Sequence, residues 1–318
     1  MYKKDRKIIY ELDKNAHIPF SQIAKNVSLS PETVRYRVNK LINERIIKYF
    51  ITIINLAIIG RSYYEVFIKL QNYNNKIIKD IIDFLSKEDL ITWVGTFEGD
   101  YDLGFIVTPK KQNQLDEIMF SFYDNFSSYI MKKSISINIK GDFLPRDYLV
   151  DKKRDYNSFV SYNTLGKTIV LDEIDEKICK YLAKNARIPY IEIANKLNLS
   201  IGTIINRIKK LRKSNVIIGT YVVLNNEKIN QLHYKILIYL TNLDKEKLNK
   251  LNSFLISNKR VIAIIKTLSE WDMEIDLELE SVTQLKDFIT SMIDKFYEII
   301  KEHKILRVTN MPKYNFFL

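Results

Sequence analysis

The chain is 318 residues long and carries a net charge of +12, one cysteine and three histidines. This length suits two domains of ordinary size, each able to bury a core. A single cysteine excludes an internal disulfide framework and is typical of a reducing compartment. The most apolar run is too short to span a bilayer, and no apolar segment follows the charged N-terminus, so we predict a cytoplasmic protein.

The sequence repeats itself at a constant offset of 170 residues. Residues 5–55 align with residues 175–225 without a gap, and 19 of the 51 positions are identical. Weaker matches continue beyond this block, although Thr96 aligns with Thr267 only if one residue is dropped nearby. The chain is therefore predicted to contain two copies of a unit of about 140 residues, joined by a connector.

In chain order, each unit begins with three predicted helices. Apolar residues recur at helical spacing over residues 8–12, and Pro19 separates this helix from a short second one. Ser30 is a suitable N-cap for a third helix that begins with Pro31, and Ser200 takes the same place in the second unit. Three helices with a tight turn before the third predict a helix-turn-helix module, whose third helix enters the major groove.

Each module is followed by alternating strands and helices. After a β-rich run at residues 46–54, the first unit gives the order βαββαβ over residues 63–70, 75–87, 91–96, 103–108, 112–127 and 134–140. After a similar run at 216–224, the second gives it over residues 233–241, 245–257, 261–268, 273–279, 282–297 and 304–309. This order predicts a ferredoxin-like sandwich and an α+β fold class. The predicted divisions are module 1 at 1–55, sandwich 1 at 56–142, a connector at 143–170, module 2 at 171–225 and sandwich 2 at 226–318.

The basic charge is concentrated in the two modules. Residues 1–55 carry eleven Lys and Arg against five Asp and Glu, and residues 171–225 carry ten against five. The modules thus hold +6 and +5 of the total, and the rest of the chain holds only +1. Positive charge confined to a duplicated module is the footprint expected of a protein that binds a polyanion.

These residues resemble the Lrp/AsnC family of transcriptional regulators. The second module resembles the DNA-binding module of that family at Asn185-Ala186-Arg187, Ile193-Ala194 and Leu199-Ser200, and the first module matches the same pattern. The stretch Glu98-Gly99-Asp100-Tyr101-Asp102 is similar to the family's Gly-x-Tyr-Asp signature. The resemblance implies that the sandwiches sense an effector and pair with each other. Arg45 and Asn215 stand where the family usually ends its third helix with glycine, and two units in one chain are unusual.

Helical periodicity turns a set of polar residues of the third helix outward. Arg35 is the best candidate for reading a base, because arginine is the commonest bidentate partner of guanine, whereas Arg37 and Lys40 suit phosphate contacts. Unit two has Ile205 in place of Arg35, so we expect an asymmetric operator. The alternative interpretation is a solvated charged face. The candidate DNA contacts are Ser30, Thr33, Arg35, Tyr36, Arg37, Asn39 and Lys40, and Ser200, Thr203, Asn206, Arg207, Lys209, Lys210 and Lys213.

The signature segment of the first sandwich is a candidate effector site. Gly95 and Gly99 permit a bend with free N–H groups for a small carboxylate, and Asp102 suits an α-amino group. The alternative is a hairpin with glycine in its turn. In unit two both glycines are absent and the alignment lacks a residue, so we expect at most one amino-acid-type site. The candidate residues are Gly95, Thr96, Gly99, Tyr101 and Asp102.

The sequence contains no Gly-rich phosphate loop, Cys/His cluster or Ser/His/Asp arrangement, so we predict no metal, no cofactor and no enzymatic activity. The expected partner is double-stranded DNA, bound by an intramolecular pseudo-dimer. Two alternatives stay open. One is an enzyme similar to siroheme decarboxylases, which share this two-domain plan as paired, non-identical subunits. The other is a chromatin-like compactor that binds DNA without sequence preference and with a steep dependence on salt.

Overall fold

The computed structural model describes residues 1–154, 159–164 and 168–317. In these residues no helix is long and apolar enough to cross a membrane. Unit one contains α1 (Lys3–Lys14), α2 (Phe20–Val27), α3 (Pro31–Asn43), β1 (Ile47–Ile54), β2 (Tyr64–Leu70), α4 (Asn75–Lys87), β3 (Ile91–Glu98), β4 (Leu103–Val107), α5 (Gln112–Phe126) and β5 (Ile130–Phe143). The connector contributes β6 (Val160–Asn163). Unit two contains α6 (Glu173–Lys184), α7 (Tyr190–Leu197), α8 (Ile201–Lys213), β7 (Ile217–Leu224), β8 (Leu232–Leu240), α9 (Lys245–Ser257), β9 (Val261–Leu268), β10 (Met273–Leu279), α10 (Val282–Phe296) and β11 (Ile300–Tyr314). The predicted α+β class and element order are confirmed.

Local sequence sets the ends of the third helix in both modules. The hydroxyl of Ser30 accepts a hydrogen bond from the backbone N–H of Thr33 at 3.1 Å, and Ser200 caps α8 through Thr203 at the same distance. Beyond the far ends of these helices, Arg45 and Asn215 adopt left-handed backbone conformations with φ of 56° and 57°. The serine N-caps, and the left-handed residues Arg45 and Asn215 that follow the helices, are therefore at the positions that the sequence predicts.

The two modules are held together by an antiparallel pair, β1 with β7, whose register is symmetric. Thr52 faces Thr220 in this pair. The residues at the equivalent positions of the opposite units, Val222 and Phe50, also face each other. We call two residues repeat-related when they lie 170 positions apart in the sequence. Ile51 faces Tyr221, which is its own repeat-related residue. A pseudo-two-fold axis that exchanges the units therefore passes through the pair Ile51–Tyr221.

The sandwich strands of both units form one closed sheet. The hydrogen-bonded order β2-β4-β3-β11-β8-β10-β9-β5 returns to its start because β2 also pairs with β5. We call these eight strands the ring; β6 lies beside the C-terminal part of β5. Two apolar cores flank the ring, one formed with α4 and α5 and the other with α9 and α10. Closure leaves none of the eight strands as a free edge along its whole length.

Two strands are much longer than the sequence predicts. β5 spans Ile130–Phe143 rather than residues 134–140, and β11 spans Ile300–Tyr314 rather than 304–309. The first part of β5 pairs with β2 of its own unit, and the second part crosses to β9 of the other unit. β11 does the same with β8 and β3. The sequence predicted only part of each strand, because the second half of each strand pairs with a strand of the other unit.

The pairing also corrects the sequence alignment of the signature segment. Thr96 pairs with Asn310, and the repeat-related residue of Asn310, Lys140, pairs with Lys266. Thr96 is thus equivalent to Lys266 at the unchanged offset of 170, and its alignment with Thr267 was wrong. No residue is missing from unit two, although Ile265 and Ser269 do replace Gly95 and Gly99.

The start of the connector is docked by a buried arginine. The side chain of Arg146 is 2% exposed, and its Nε donates to the Glu278 carboxylate at 2.7 Å while its guanidinium also pairs with Asp13. Tyr148 donates a further hydrogen bond to Glu278. Although burial opposes ionisation, the Arg146 guanidinium keeps the pKa of Glu278 below its usual value. Asp13 lies on α1 and Glu278 on β10, so Arg146 joins module 1 to sandwich 2.

The corresponding end of unit two uses apolar contacts instead. Phe316, the repeat-related residue of Arg146, is buried with Phe317 in the core that surrounds Ile178 and Leu182 of α6. The aromatic and leucine content of the connector predicted that it is not fully solvated, and buried Tyr148 and other described residues confirm this. The parts of the connector at residues 155–158 and 165–167 lie outside the described residues.

We predict that Arg146→Ala lowers the free energy of unfolding by about 3–5 kcal/mol, because it leaves two buried carboxylates without their cation. Chemical denaturation followed by circular dichroism measures this loss. Arg35→Ala, on the exposed face of α3, is the control and is expected to change stability by less than about 0.5 kcal/mol. Equal effects of the two substitutions would contradict the docking role of Arg146.

Candidate functional sites

The third helix of module 1 presents one polar face to solvent. Val34, Val38 and Leu41 are buried in the module core, which leaves Arg35 and Tyr36 exposed on the opposite side. Tyr36 is 67% exposed, which is unusual for so large an aromatic residue in a folded domain. Asn39 and Lys40 are also exposed, so this face can approach a nucleic acid without rearrangement of the helix.

Two of the predicted contacts, both arginines, form ion pairs with acidic residues at the first helix of their module. Arg37 donates to the carboxylate of Asp5 on α1 at 2.8 Å, and the repeat-related Arg207 donates to Asp175 on α6 at the same distance. Arg207 also bonds to Asp172 at 2.6 Å. These repeated ion pairs fasten the third helix of each module to its first helix. Arg37 and Arg207 therefore have a structural role, whether or not they also contact phosphate.

The third helix of module 2 has a different exposed face. Ile205, which replaces Arg35, is half-buried, and Asn206, which replaces Tyr36, is exposed. The helix ends in a dense basic group that remains solvent-exposed; it comprises Lys209, Lys210, Arg212 and Lys213. This composition favours contact with phosphates over direct contact with base edges.

The modules also touch each other through repeat-related residues. The guanidinium of Arg187 lies 4.4 Å from the ring centre of Phe20, and its repeat-related residue His17 packs edge-on against Tyr190 at 4.9 Å between ring centres. Burial, together with the positive charge of nearby Arg212 and Arg187, lowers the pKa of His17. Module 1 is therefore positioned relative to module 2 by side-chain contacts as well as by β1 and β7.

The glycines of the signature segment make room for neighbouring groups. A Cβ atom on Gly95 would lie 2.5 Å from the Trp93 ring, and one on Gly99, whose φ is +138°, would lie 2.7 Å from the carbonyl oxygen of Ile305. Ile305 belongs to β11, so Gly99 permits the close approach of a strand from unit two. Thr96 reaches the same strand through a 2.7 Å contact between its hydroxyl and that of Thr309.

The remaining signature residues are also engaged within the fold. Tyr101 is fully buried against Phe67 of β2 and Trp271 of unit two. The Asp102 carboxylate accepts hydrogen bonds from the Lys69 ammonium at 3.0 Å and from the backbone N–H of Leu70 at 2.7 Å. The repeat-related Asp272 accepts an equivalent bond from Leu240 at 2.7 Å. Thr96, Gly99 and Tyr101 thus contact unit two, whereas the Asp102 carboxylate is bound by residues of unit one.

A polar cluster inside the ring contains residues that the sequence analysis missed. Lys235 of β8 donates to Glu274 at 2.9 Å and to Asp276 at 3.2 Å, both on β10, and its nitrogen lies 3.7 Å from Glu65 of β2. The Nε2 atom of His233 lies 2.8 Å from Asp276. The alternation of polar and apolar residues along β10 signals one polar face, but it does not show that this face points into a closed ring. None of these groups, among the described residues, is arranged to hold a metal ion.

A wide cleft of about 800 Å³ lies outside the ring, between β11 and the segment that follows β7. Its wall includes Lys48 of β1 and Arg307 of β11, together with the carboxylates of Glu98, Glu227 and Glu280. The cleft shares His233 and Met311 with a smaller inner cavity next to the polar cluster.

Comparison with known proteins identifies both modules. The winged helix-turn-helix DNA-binding family matches residues 3–48 and again residues 171–218. An uncharacterized HTH-type transcriptional regulator of Pyrococcus abyssi is 33% identical over 125 residues, which cover 39% of this chain and 83% of that protein. The regulatory protein AsnC of Haemophilus influenzae is 27% identical over 146 residues, covering 44% of this chain and 93% of that protein.

Solved structures show that the whole two-unit arrangement has a precedent. The siroheme decarboxylase NirDL superposes with a TM-score of 0.64 at 12% identity, covering 99% of this chain and 93% of that one. At this identity the likeness establishes the fold alone. The sequence relatives are single-unit regulators, and each aligns with less than half of this chain. The chain belongs to the Lrp/AsnC family of helix-turn-helix transcriptional regulators, with two units fused in one polypeptide.

Proposed function

We propose that this protein is a sequence-specific, DNA-binding transcriptional regulator in which α3 and α8 contact the major groove. The observation that carries the proposal is the pair of exposed third helices, each with an N-terminal serine cap, on modules that together hold nearly all of the net positive charge. Exposed basic and amide side chains on such a helix are the groups that contact phosphates and base edges.

The symmetry of the modules indicates how the two helices would be used. The pseudo-two-fold axis through Ile51 and Tyr221 relates α3 to α8, and duplex DNA has local two-fold axes of its own. A protein with this symmetry meets two inverted half-sites when the axes coincide. Because the modules belong to one chain, this arrangement does not depend on protein concentration.

The two half-sites are expected to differ in information content. Module 1 offers Arg35 and Tyr36 at positions where module 2 offers Ile205 and Asn206. A guanidinium can bond two acceptors of guanine, whereas an isoleucine side chain contacts only apolar groups. Module 1 is therefore proposed to read sequence, and module 2 to bind chiefly the backbone through Lys209, Lys210 and Lys213.

In vitro selection of bound duplexes from a random pool is predicted to return an asymmetric motif, with one well-defined half-site and one weak half-site. Selection by the full-length protein at fixed salt, followed by sequencing, measures this difference. A perfect palindrome with equal half-sites would contradict the assignment of roles. Enrichment of no motif would instead support the DNA compactor.

On the selected duplex, Arg35→Ala is predicted to weaken binding by about 1–3 kcal/mol and to relax specificity at the base it contacts. Fluorescence anisotropy with matched and mutated duplexes measures both effects. Ile205→Ala is the matched control at the repeat-related position and is expected to change affinity by less than about 0.5 kcal/mol. A larger loss for Ile205→Ala than for Arg35→Ala would reverse the proposed roles.

The enzymatic alternative is less well supported by the cavities of this chain. The cavity inside the ring measures about 80 Å³, well below the roughly 300–1,000 Å³ of typical cofactor sites. The outer cleft is larger, but its wall mixes three carboxylates with Lys48 and Arg307. It therefore offers no uniformly cationic surface to a tetrapyrrole that carries many carboxylates. His233 and His303 lie five ladder positions apart along β8 and β11, which is roughly 17 Å. We therefore favour DNA binding without tetrapyrrole chemistry.

An amino-acid-type effector at Gly95, Thr96, Gly99, Tyr101 and Asp102 stays a prediction. An α-amino group bound at Asp102 would replace the ammonium of Lys69, which already occupies that carboxylate. The equivalent bond at Asp272 in unit two favours a structural role for the aspartate in both units.

A further inference from the structure

The cavity inside the ring has a polar end and an aromatic wall. It measures about 80 Å³, and its lining combines the polar side chains of Glu65, Asn138, Lys235 and Asp276 with aromatic residues that include Trp93 and Tyr314. An engineered apolar cavity of about 150 Å³ accommodates benzene, which has six non-hydrogen atoms. This cavity therefore suits a group of about three to five non-hydrogen atoms.

Negative charge is in excess at the polar end. Glu65, Glu274 and Asp276 supply three carboxylates, while Lys235 supplies one ammonium, and all four side chains are at least 88% buried. Glu274 is further satisfied by the indole N–H of Trp271, which donates to it at 2.9 Å. Glu65 is thus the carboxylate left with the weakest cationic partner, at 3.7 Å from Lys235.

One oxygen of Glu65 lacks a hydrogen bond. Its Oε2 accepts from the Asn138 amide at 2.9 Å, but its Oε1, also buried, has no donor among the described residues. The Nδ1 atom of His233, on the same cavity wall, is likewise buried and unbonded there. Buried polar atoms without partners are rare in folded proteins, and each one needs an explanation. Here both border a space large enough for another group.

The charge balance affects the ionisation of Glu65. Burial, reinforced by the negative charge of Glu274, raises the pKa of Glu65 to about 8, whereas Lys235 and His233 overcome the effect of burial at Asp276 and lower its pKa to about 2. Near neutral pH, Glu65 is therefore largely protonated while Asp276 is ionised. The charged and titratable groups around Glu65 and the cavity are Lys235 and His233 on β8, Glu274 and Asp276 on β10, and Tyr63 before β2, Tyr162 on β6, Tyr221 on β7 and Tyr314 on β11.

We propose that this cavity binds a small organic cation, such as a protonated primary amine, whose ammonium group donates to Glu65 Oε1 while its carbon atoms contact the aromatic wall. An ammonium supplies the missing donor and the missing positive charge together. Aromatic faces also attract cations, as the ammonium of Lys235 at 5.8 Å from the Trp93 ring centre illustrates. The proposal concerns binding inside the ring and does not depend on the DNA-binding function.

The outer cleft provides a route to the cavity. The two spaces share His233 and Met311, so these side chains form their common boundary. The cleft also includes Lys48 of β1, which places the route next to a strand that joins the two modules.

Titration of the full-length protein with ethylammonium chloride tests the proposal, with sodium chloride at equal ionic strength and sodium acetate as controls. The chain has two tryptophans, and Trp93 lies on the cavity wall, so intrinsic fluorescence and calorimetry both report binding. We expect saturable binding of ethylammonium only. Because a bound cation favours ionised Glu65, whose pKa is about 8, affinity should rise by about tenfold between pH 6 and 7, with release of about one proton, and less steeply toward pH 8.

Glu65→Gln is expected to weaken ethylammonium binding at least tenfold at pH 8, whereas Glu246→Gln, on the exposed face of α9, should leave it unchanged. The Glu65→Gln variant should fold, because its amide mimics the protonated acid. Its stability should match that of the parent near pH 4 and exceed it at pH 8. The reason is that the raised pKa of Glu65 in the folded state makes the parent lose stability as pH rises above the unfolded pKa of glutamate.

Three results would overturn the proposal. They are the lack of saturable ethylammonium binding, equal binding by Glu65→Gln, and equally tight binding of acetate. If Glu65→Gln fails to fold, calorimetry of the parent protein in buffers with different ionisation enthalpies decides the matter. Ethylammonium binding without proton release at pH 7 would then exclude Glu65 as its partner.

Discussion

The structure depends on two strands that leave their own units. The second halves of β5 and β11 pair with β9 and β3 of the opposite unit, and these two exchanges close the ring. Without them each sandwich would expose an open strand edge, a feature that natural sheets avoid. The relative position of the two modules is set separately, by the pairing of β1 with β7 and by the side-chain contacts of Arg187 and His17.

Fusion of the two units permits contacts that a symmetric homodimer cannot make. Glu65 and Lys235 are repeat-related, and they approach each other to 3.7 Å inside the ring. In a dimer of identical units the same positions would bring together two glutamates or two lysines, which repel each other in a buried site. A single chain can hold opposite charges there. Such positions show that the units have diverged to fit each other.

The same divergence appears away from the axis. Arg146 docks one unit through buried ion pairs, while the repeat-related Phe316 docks the other through aromatic packing. On the third helices, exposed Arg35 and half-buried Ile205 differ, while the adjacent core residues Val34 and Ile204 are both buried. Residues in the module cores keep their apolar character in both units, whereas residues on the third-helix surface or at contacts with the opposite unit differ in chemical type. This pattern is consistent with a regulator whose two halves have different roles.

Sequence patterns between neighbouring residues predicted much of this structure. Features that depend on pairing between distant strands were not predicted. The caps at Ser30 and Ser200 and the left-handed Arg45 depend on neighbours in sequence, so the sequence predicts them. The length of β5 depends on β9, at least 120 residues away, and no local pattern contains that information. The acids at 274 and 276 alternate with apolar residues as they would on a solvated strand, but ring closure turns them inward. The effector and DNA contacts themselves stay predictions.

Equilibrium unfolding tests the claim that the ring makes the two units one cooperative structure. Trp93 lies in unit one and Trp271 in unit two, so Trp93→Phe and Trp271→Phe each leave one fluorescent reporter. In each variant the fluorescence transition should coincide with the loss of circular dichroism, at a midpoint independent of protein concentration. Separate transitions for the two reporters, or a midpoint that rises with concentration, would contradict an intramolecular closed ring.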